Sequence, residues 1–129
     1  MSIADNVILQ AIAALSSVDN VQMDLKALTD DAVYLTLAFS EQDSYVKAIT
    51  NTVKAMRDLV RNRVSSSMLN GVFQDWESYH YQPKAGQGIA ADMRVVFKRE
   101  PEGIRVLGFG HRYIPDDIYE RLSALQRRK

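Results

Sequence analysis

The 129-residue chain contains no cysteine, few prolines and no long apolar run. The lack of cysteine excludes disulfides, thiolate nucleophiles and zinc–thiolate sites. No stretch reaches the roughly 18 apolar residues that a membrane span requires. The first residues, Met1–Asp5, lack the basic segment of a secretory signal. We therefore expect one domain over residues 1–129, located in the cytoplasm and not bound to a membrane.

The charges cancel over the whole chain but are unevenly distributed. Residues 1–46 contain seven acids and one base, which gives −6, and residues 47–129 contain fifteen bases and nine acids, which gives +6. Such asymmetry predicts an anionic partner such as nucleic acid for the second part. Alternatively, the two parts pack together, or the acidic segment screens a basic groove of the same chain.

Hydrophobic periodicity and turn residues predict alternating helices and strands. Ser2 can cap a first helix, and residues 21–26 alternate like a strand. The β-branched and aromatic run Val33–Phe39 predicts another strand after a turn at Thr29–Asp31. A long helix from Asp43 to Leu69 follows. Its apolar stripe consists of Tyr45, Ile49, Val53, Met56, Val60 and Val64.

Two further strands, Met93–Lys98 and Ile104–Arg112, form a hairpin around a turn in which Gly103 supplies a positive φ. A terminal helix starts at Pro115 and has acids in its first turn. This order of elements predicts an α+β fold with a small, mainly antiparallel sheet covered by helices. An additional helical segment precedes this core at the N-terminus.

The first strand of the hairpin contains an arginine, and a buried arginine requires an anion. Arg94 therefore either forms a structural ion pair with Asp75, Glu77 or Asp92, or binds a phosphate.

The second strand of the hairpin contains two glycines. Gly108 and Gly110 either leave a trough that leads to Arg112, or mark a bulge or space for a side chain of a helix.

Basic and aromatic side chains elsewhere form a second group of candidates. Lys54, Arg57 and Arg61 form a stripe on the long helix, which either borders a nucleic-acid groove or is a solvated face. The aromatic segment 72–81 either stacks on RNA bases or covers an end of the core. The loop over residues 83–88 has no phosphate-loop pattern.

The hairpin reads Arg-Val-Val-Phe … Val-Leu-Gly-Phe-Gly-His-Arg and is followed by a tyrosine. In this order of elements it resembles the RelE/ParE toxin superfamily, mainly over residues 94–112. The resemblance implies a RelE-like core over residues 31–129 after an N-terminal extension over residues 1–30. It also implies a toxin of a type II toxin–antitoxin system that cleaves mRNA on the ribosome without a metal or other cofactor. Other members inhibit DNA gyrase.

The resemblance also implies which residues act. The catalytic candidates are Arg94, His111, Arg112 and Tyr119, unless Tyr113 takes the place of Tyr119. The RNA-binding candidates are Lys54, Arg57, Arg61, Lys84, Lys98 and Tyr113. Its implied partners are an antitoxin protein and mRNA on the ribosome.

The chain departs from the family pattern in its acidic N-terminal segment and in Asp116 and Asp117, which follow the Gly-His-Arg triplet. Carboxylates near the site repel a phosphate backbone. The departures therefore predict either a weakened ribonuclease or a non-catalytic interaction module of the same fold that binds a protein partner or a second copy of itself.

Overall fold

The computed structural model describes residues 3–114, 117–125 and 127. Along the chain these residues form α1 (Asp5–Ser16), β1 (Val21–Gln22), α2 (Leu25–Ala38), α3 (Gln42–Val60), β2 (Ser67–Met68), a 3₁₀ turn (Gly71–Phe73), β3 (Glu77–Tyr81), β4 (Met93–Glu100), β5 (Gly103–His111) and α4 (Ile118–Ala124). The predicted α+β class is confirmed. None of the described helices is long and apolar enough to cross a membrane.

The five strands form one mixed sheet in the order β1-β5-β4-β3-β2. β1 runs parallel to β5, and the pairs β5–β4, β4–β3 and β3–β2 are antiparallel. The predicted, mainly antiparallel sheet is therefore confirmed. Its central strands, β4 and β5, are the predicted hairpin.

The sheet separates two apolar cores. Buried residues of α1, α2 and α3, such as Leu15, Leu35 and Met56, pack with Val95 and Phe109 on one face. The second, smaller core lies under α4 on the other face and contains Phe73, Trp76, Val96, Leu107, Ile118 and Leu122. The first core includes Ile3, so the chain contributes to the core from the first residue that the structure describes.

The hairpin contains a bulge, and Gly108 and Gly110 lie against α4. Val96 lies opposite Gly108 and Phe97 opposite Val106, so Leu107 is an extra residue in β5. A Cβ atom on Gly108 would lie 2.5 Å from Leu122 Cδ2, and one on Gly110 would lie 3.1 Å from Ile118 Cδ1. The glycines therefore make room for α4. The predicted open trough is wrong, and both parts of the alternative, a bulge and space for a helix, are confirmed.

The predicted strand at Val33–Phe39 is wrong, because these residues lie in or just after α2. Asp24 caps this helix by accepting a 3.0 Å hydrogen bond from the Ala27 amide. Leu28, Ala32 and Leu35 then recur at helical spacing and are buried. The predicted turn at Thr29–Asp31 lies inside the same helix. Burial along one helical face outweighs the β-propensity of the run.

Other boundaries also differ from the predictions. The long helix ends at Val60 instead of Leu69, and Asn62 adopts a left-handed φ of 56° two residues later. The N-terminal strand is limited to Val21–Gln22. The predicted cap at Ser2 and the predicted helix start at Pro115 lie outside the described residues, and Asp117 caps α4.

Gly103 does not have the predicted positive φ. A Cβ atom at this position would lie 1.9 Å from the carbonyl oxygen of Asn20. Glycine is therefore required because the chain before β1 passes directly over the start of β5. The Ile104 amide donates a 3.0 Å hydrogen bond to the same carbonyl.

Candidate functional site

The sheet face on the α4 side gathers the polar side chains of β3 and β4. His80 in β3 lies opposite Arg94 in β4, and Arg94 lies opposite Gly110 in β5. Cross-strand partners project to the same face, and Gly110 contacts α4. Arg112 follows β5, and its guanidinium carbon lies 5.1 Å from the ring centroid of Tyr119 on α4. We call His80, Arg94, Arg112 and Tyr119 the arginine–histidine cluster.

Arg94 is a buried guanidinium, only 8% exposed. Its Nη1 donates hydrogen bonds to the carbonyls of Ala91 at 2.6 Å and Met93 at 3.0 Å, and its buried Nε has no partner. No carboxylate of residues 3–114, 117–125 or 127 lies within 4.0 Å of it. Among these residues, the predicted ion pair with Asp75, Glu77 or Asp92 is therefore not formed. A buried positive charge without a counter-ion favours the binding of an anion.

Arg112 and Tyr119 are held by the start of α4. Asp117 forms an ion pair with Arg112 and also caps the helix, because its Oδ1 accepts a 2.8 Å hydrogen bond from the Tyr119 amide. The Tyr119 hydroxyl shares a 2.6 Å hydrogen bond with Ser78 Oγ on β3. One carboxylate thus partly neutralises Arg112, and one hydroxyl fixes the position of Tyr119 over the sheet.

His80 is the residue of this cluster that the sequence did not indicate. Its ring is exposed at the surface. Partial burial lowers the pKa of His80, and the positive charges of Arg94 and Arg112 lower it further. A neutral imidazole next to two guanidiniums can accept a proton from a group bound between them. Only the register of β3 against β4 shows that His80 opposes Arg94.

His111 does not join the cluster. It lies opposite Met93, whose side chain belongs to the core formed by α1–α3. Its ring centroid is 6.0 Å from that of Phe39, and its Nδ1 accepts hydrogen bonds from the amides of Tyr113 and Ile114, each at 3.0 Å. Burial lowers the pKa of His111; Asp92 raises it and Arg94 lowers it. His111 thus holds the chain turn that follows β5.

The six predicted RNA-binding residues do not form a single group, although Lys54 and Lys84 line two adjacent cavities. Lys54 on α3 pairs with Asp58 at 2.8 Å, and Arg57 and Arg61 are exposed at the end of the same helix, which packs on the face opposite α4. Lys98 Nζ lies 4.4 Å from the ring centroid of Trp76 on the α4 side. Lys84 is exposed in the loop between β3 and β4, and Tyr113 is exposed beside Arg112.

Asp31 is a second residue whose role the sequence does not indicate, because Thr29–Asp31 has the composition of a turn. It is fully buried on α2 and accepts hydrogen bonds from the Phe109 amide at 3.0 Å and from Arg121 Nη2 at 3.1 Å. Arg127 Nη1 donates to both of its oxygens at 2.9 Å. Burial raises the pKa of Asp31, and the charges of Arg127 and Arg121 oppose this effect. β1 pairs only with the start of β5, and the Asp31 network covers the later part of the same edge. It thereby joins β5 to α2 and α4.

Comparison of the chain with protein-family models, curated proteins and solved structures gave no match. Within the part of the chain that the structure describes, no three His, Asp or Glu side chains are grouped so that they could hold a metal ion.

Proposed function

We propose that this protein is a toxin-like, metal-independent ribonuclease of the RelE/ParE type, or a weakened relative of one. It acts on mRNA at the ribosome, in the cytoplasm, as part of a type II toxin–antitoxin system. The observation that carries the proposal is the buried Arg94 guanidinium, which has no carboxylate partner among the described residues and lies opposite the exposed His80. Arg112 and Tyr119 complete the cluster.

The cluster supplies the groups that RNA transesterification needs. In the proposed reaction, the ribose 2′-oxygen forms a bond to phosphorus and the bond to the 5′-oxygen breaks. His80 accepts the proton of the 2′-hydroxyl, and Arg94 and Arg112 stabilise the charge on the phosphate oxygens. Tyr119 donates a proton to the leaving 5′-oxygen. His80, and not His111, therefore moves the first proton.

The ion pair between Arg112 and Asp117 supports the weakened form of this activity. Asp117 neutralises part of the charge that a phosphate would meet, and a phosphate must compete with it for the guanidinium. The same carboxylate caps α4, so it has a structural role that is independent of catalysis.

The test is a cleavage assay on translating ribosomes with the unaltered chain and the variants Arg112→Ala, His80→Ala and His111→Ala. General-base catalysis contributes about 10²- to 10⁴-fold, so His80→Ala is expected to lose activity in that range. Arg112→Ala is also expected to lose activity, and His111→Ala to retain it while melting at a lower temperature. A lack of cleavage by the unaltered chain, or equal losses in both histidine variants, contradicts the proposal.

A second candidate function is a non-catalytic interaction module, and exposed apolar side chains on α1 and α2 favour it. Leu9 is 65% exposed, Leu25 63% and Leu37 62%, and Val33 lies one helical turn before Leu37. A partner protein such as an antitoxin, or a second copy of the chain, would cover this surface. This candidate predicts normal growth of cells that express the unaltered chain, with no RNA cleavage, and a complex that Leu37→Lys weakens.

A further inference from the structure

A groove lies beside the arginine–histidine cluster, between α3 and the outer edge of β3. It consists of two adjacent cavities of about 290 and 300 Å³, and both are lined by Asn51 and Ala85. One end lies at Lys47 and Lys84, and the other end reaches Tyr79, His80 and Tyr81. His80 thus belongs to the groove as well as to the cluster.

The charged side chains that line this groove carry a positive excess. Its charged side chains are Lys47, Lys54 and Lys84 against a single carboxylate, Asp58, which pairs with Lys54. Lys47 pairs with Asp43, which lies outside the lining. Lysines along a groove match a phosphate backbone better than they match an apolar peptide side chain.

Tyr79 provides an aromatic surface inside the groove. Its ring is partly exposed and lies nearly parallel to that of Tyr81, with an interplanar angle of 14° and centroids 5.9 Å apart. Tyr81 is buried, and its hydroxyl shares a 2.7 Å hydrogen bond with Thr52 on α3. Tyr79 therefore rests on a fixed neighbour, and a base that stacked on it would not have to order a mobile ring.

The edge of β3 offers backbone groups in the same place. β2 pairs with β3 through Glu77 and Ser78, and Leu69 donates to the Trp76 carbonyl. Because backbone groups alternate in direction along a strand, the N–H and C=O of His80 point away from β4 into the groove. They can form hydrogen bonds with the edge of a base.

From these observations we propose that the groove between α3 and β3 binds single-stranded RNA, with one base stacked on Tyr79. The inference rests on the proposed function: the nucleotide in the groove flanks the phosphate held by Arg94 and Arg112. Successive residues of a strand point to opposite faces, so Tyr79 and His80 lie on different sides of β3. RNA that contacts both must bend around the strand edge, which requires unstacked bases and excludes a duplex.

The binding test uses the full chain and a fluorescein-labelled hexauridylate in which every ribose carries a 2′-O-methyl group, so that the probe cannot be cleaved. Its affinity is measured by fluorescence anisotropy at low salt. Loss of one stacked base weakens binding by roughly 5- to 150-fold, so Tyr79→Ala and Tyr79→Leu are expected to bind that much more weakly. Tyr79→Phe keeps the ring and is expected to bind like the unaltered chain.

A second series replaces one uridine at a time with an abasic residue. When the missing base is the one that stacks on Tyr79, the abasic probe should bind the unaltered chain and Tyr79→Leu equally well. A variant that was merely misfolded would bind every probe more weakly than the unaltered chain does. Equal binding of hexauridylate by all four proteins, an equal loss in Tyr79→Phe, or no binding by the unaltered chain overturns the inference. If binding depends on Tyr79 but the chain does not cleave mRNA on ribosomes, the RNA-binding groove is supported and only the proposed ribonuclease activity is overturned.

Discussion

Arg94 and His80 act on each other because the sheet places them side by side on one face. A guanidinium is charged at every accessible pH, so it opposes protonation of a neighbouring imidazole. Arg112 adds a second positive charge near His80. Burial is the largest cause of the lowered pKa of His80, and the two groups that would bind the phosphate lower it further, which favours the neutral form of the proposed general base.

The two histidines of the chain provide a direct measurement of this coupling. In an NMR titration, both imidazoles are expected to have a pKa below the ordinary value of about 6.5. Arg112→Gln removes a positive charge and should raise the pKa of His80. His111 is the internal control, because Asp92 and Arg94 are the charges that act on it and its pKa should not change. An unchanged pKa of His80 would show that Arg112 does not act on it, and an equal shift of His111 would show that the effect is not specific to His80.

The sign of these shifts also determines a stability effect. A histidine with a lowered pKa in the folded state binds protons more weakly there than in the unfolded chain. The free energy of unfolding should therefore decrease as the pH falls through about 6.5 towards the lowered values, and remain constant above this range.

At the scale of single residues, the sequence points to three of the four residues of the arginine–histidine cluster. The resemblance implies Arg94, Arg112 and Tyr119, and in the structure Arg94 lies on the α4 side of the sheet and Arg112 lies beside Tyr119. The sequence does not indicate His80, because the aromatic segment shows no clear strand pattern and only the register of β3 reveals which residue faces the imidazole. For His111 the opposite holds: the resemblance implies a catalytic role, but the bulge and the strand register place it on the face opposite Arg94.

At the scale of elements, the hairpin was predictable and α2 was not. Alternation of apolar residues and the turn around Pro101 identified β4 and β5 from local signals. In α2, the two buried positions between Leu28 and Leu35 are the charged Asp31 and the small Ala32, so a hydrophobicity pattern shows the helical period only weakly. Its partners Arg121 and Arg127 lie some 90 residues away along the chain.

The Asp31 network predicts a large difference between two neighbouring aspartates of α2. Asp31→Asn removes the negative charge that compensates the buried guanidinium of Arg121 and the largely buried one of Arg127, and loss of one partner of a buried pair costs about 3–5 kcal/mol. Asp30→Asn is the matched control: Asp30 is 36% exposed, its pair with the exposed Lys26 is worth about 0–1 kcal/mol, and its oxygen lies 4.0 Å from Arg127, at the limit of an ion pair. Urea denaturation of both variants measures the free energy of unfolding, and similar losses would refute a special role for Asp31.

At the scale of the whole molecule, the uneven charge is partly resolved by packing. Asp31 from the acidic part meets Arg121 and Arg127 from the basic part. The remaining acids lie mainly on α1, on α2 and at the start of α3, while β1 and α2 adjoin β5. The proposed RNA groove adjoins β3, and β4 lies between β3 and β5 in the sheet.

This arrangement predicts which lysines contribute to the salt dependence of RNA binding. Each phosphate contact to a single strand contributes about −0.7 to the slope of log K against log salt concentration. Lys84→Gln removes a cation from the groove and should make the slope less steep by about this amount.

Lys26→Gln is the control: it removes the same charge from an exposed position on α2, beside β5 and not beside β3, and should leave the slope unchanged. The 2′-O-methyl hexauridylate serves as the probe between about 50 and 200 mM salt, a range over which such contacts are measurable. Equal changes in both variants would mean that RNA responds to the net charge of the molecule and not to the groove.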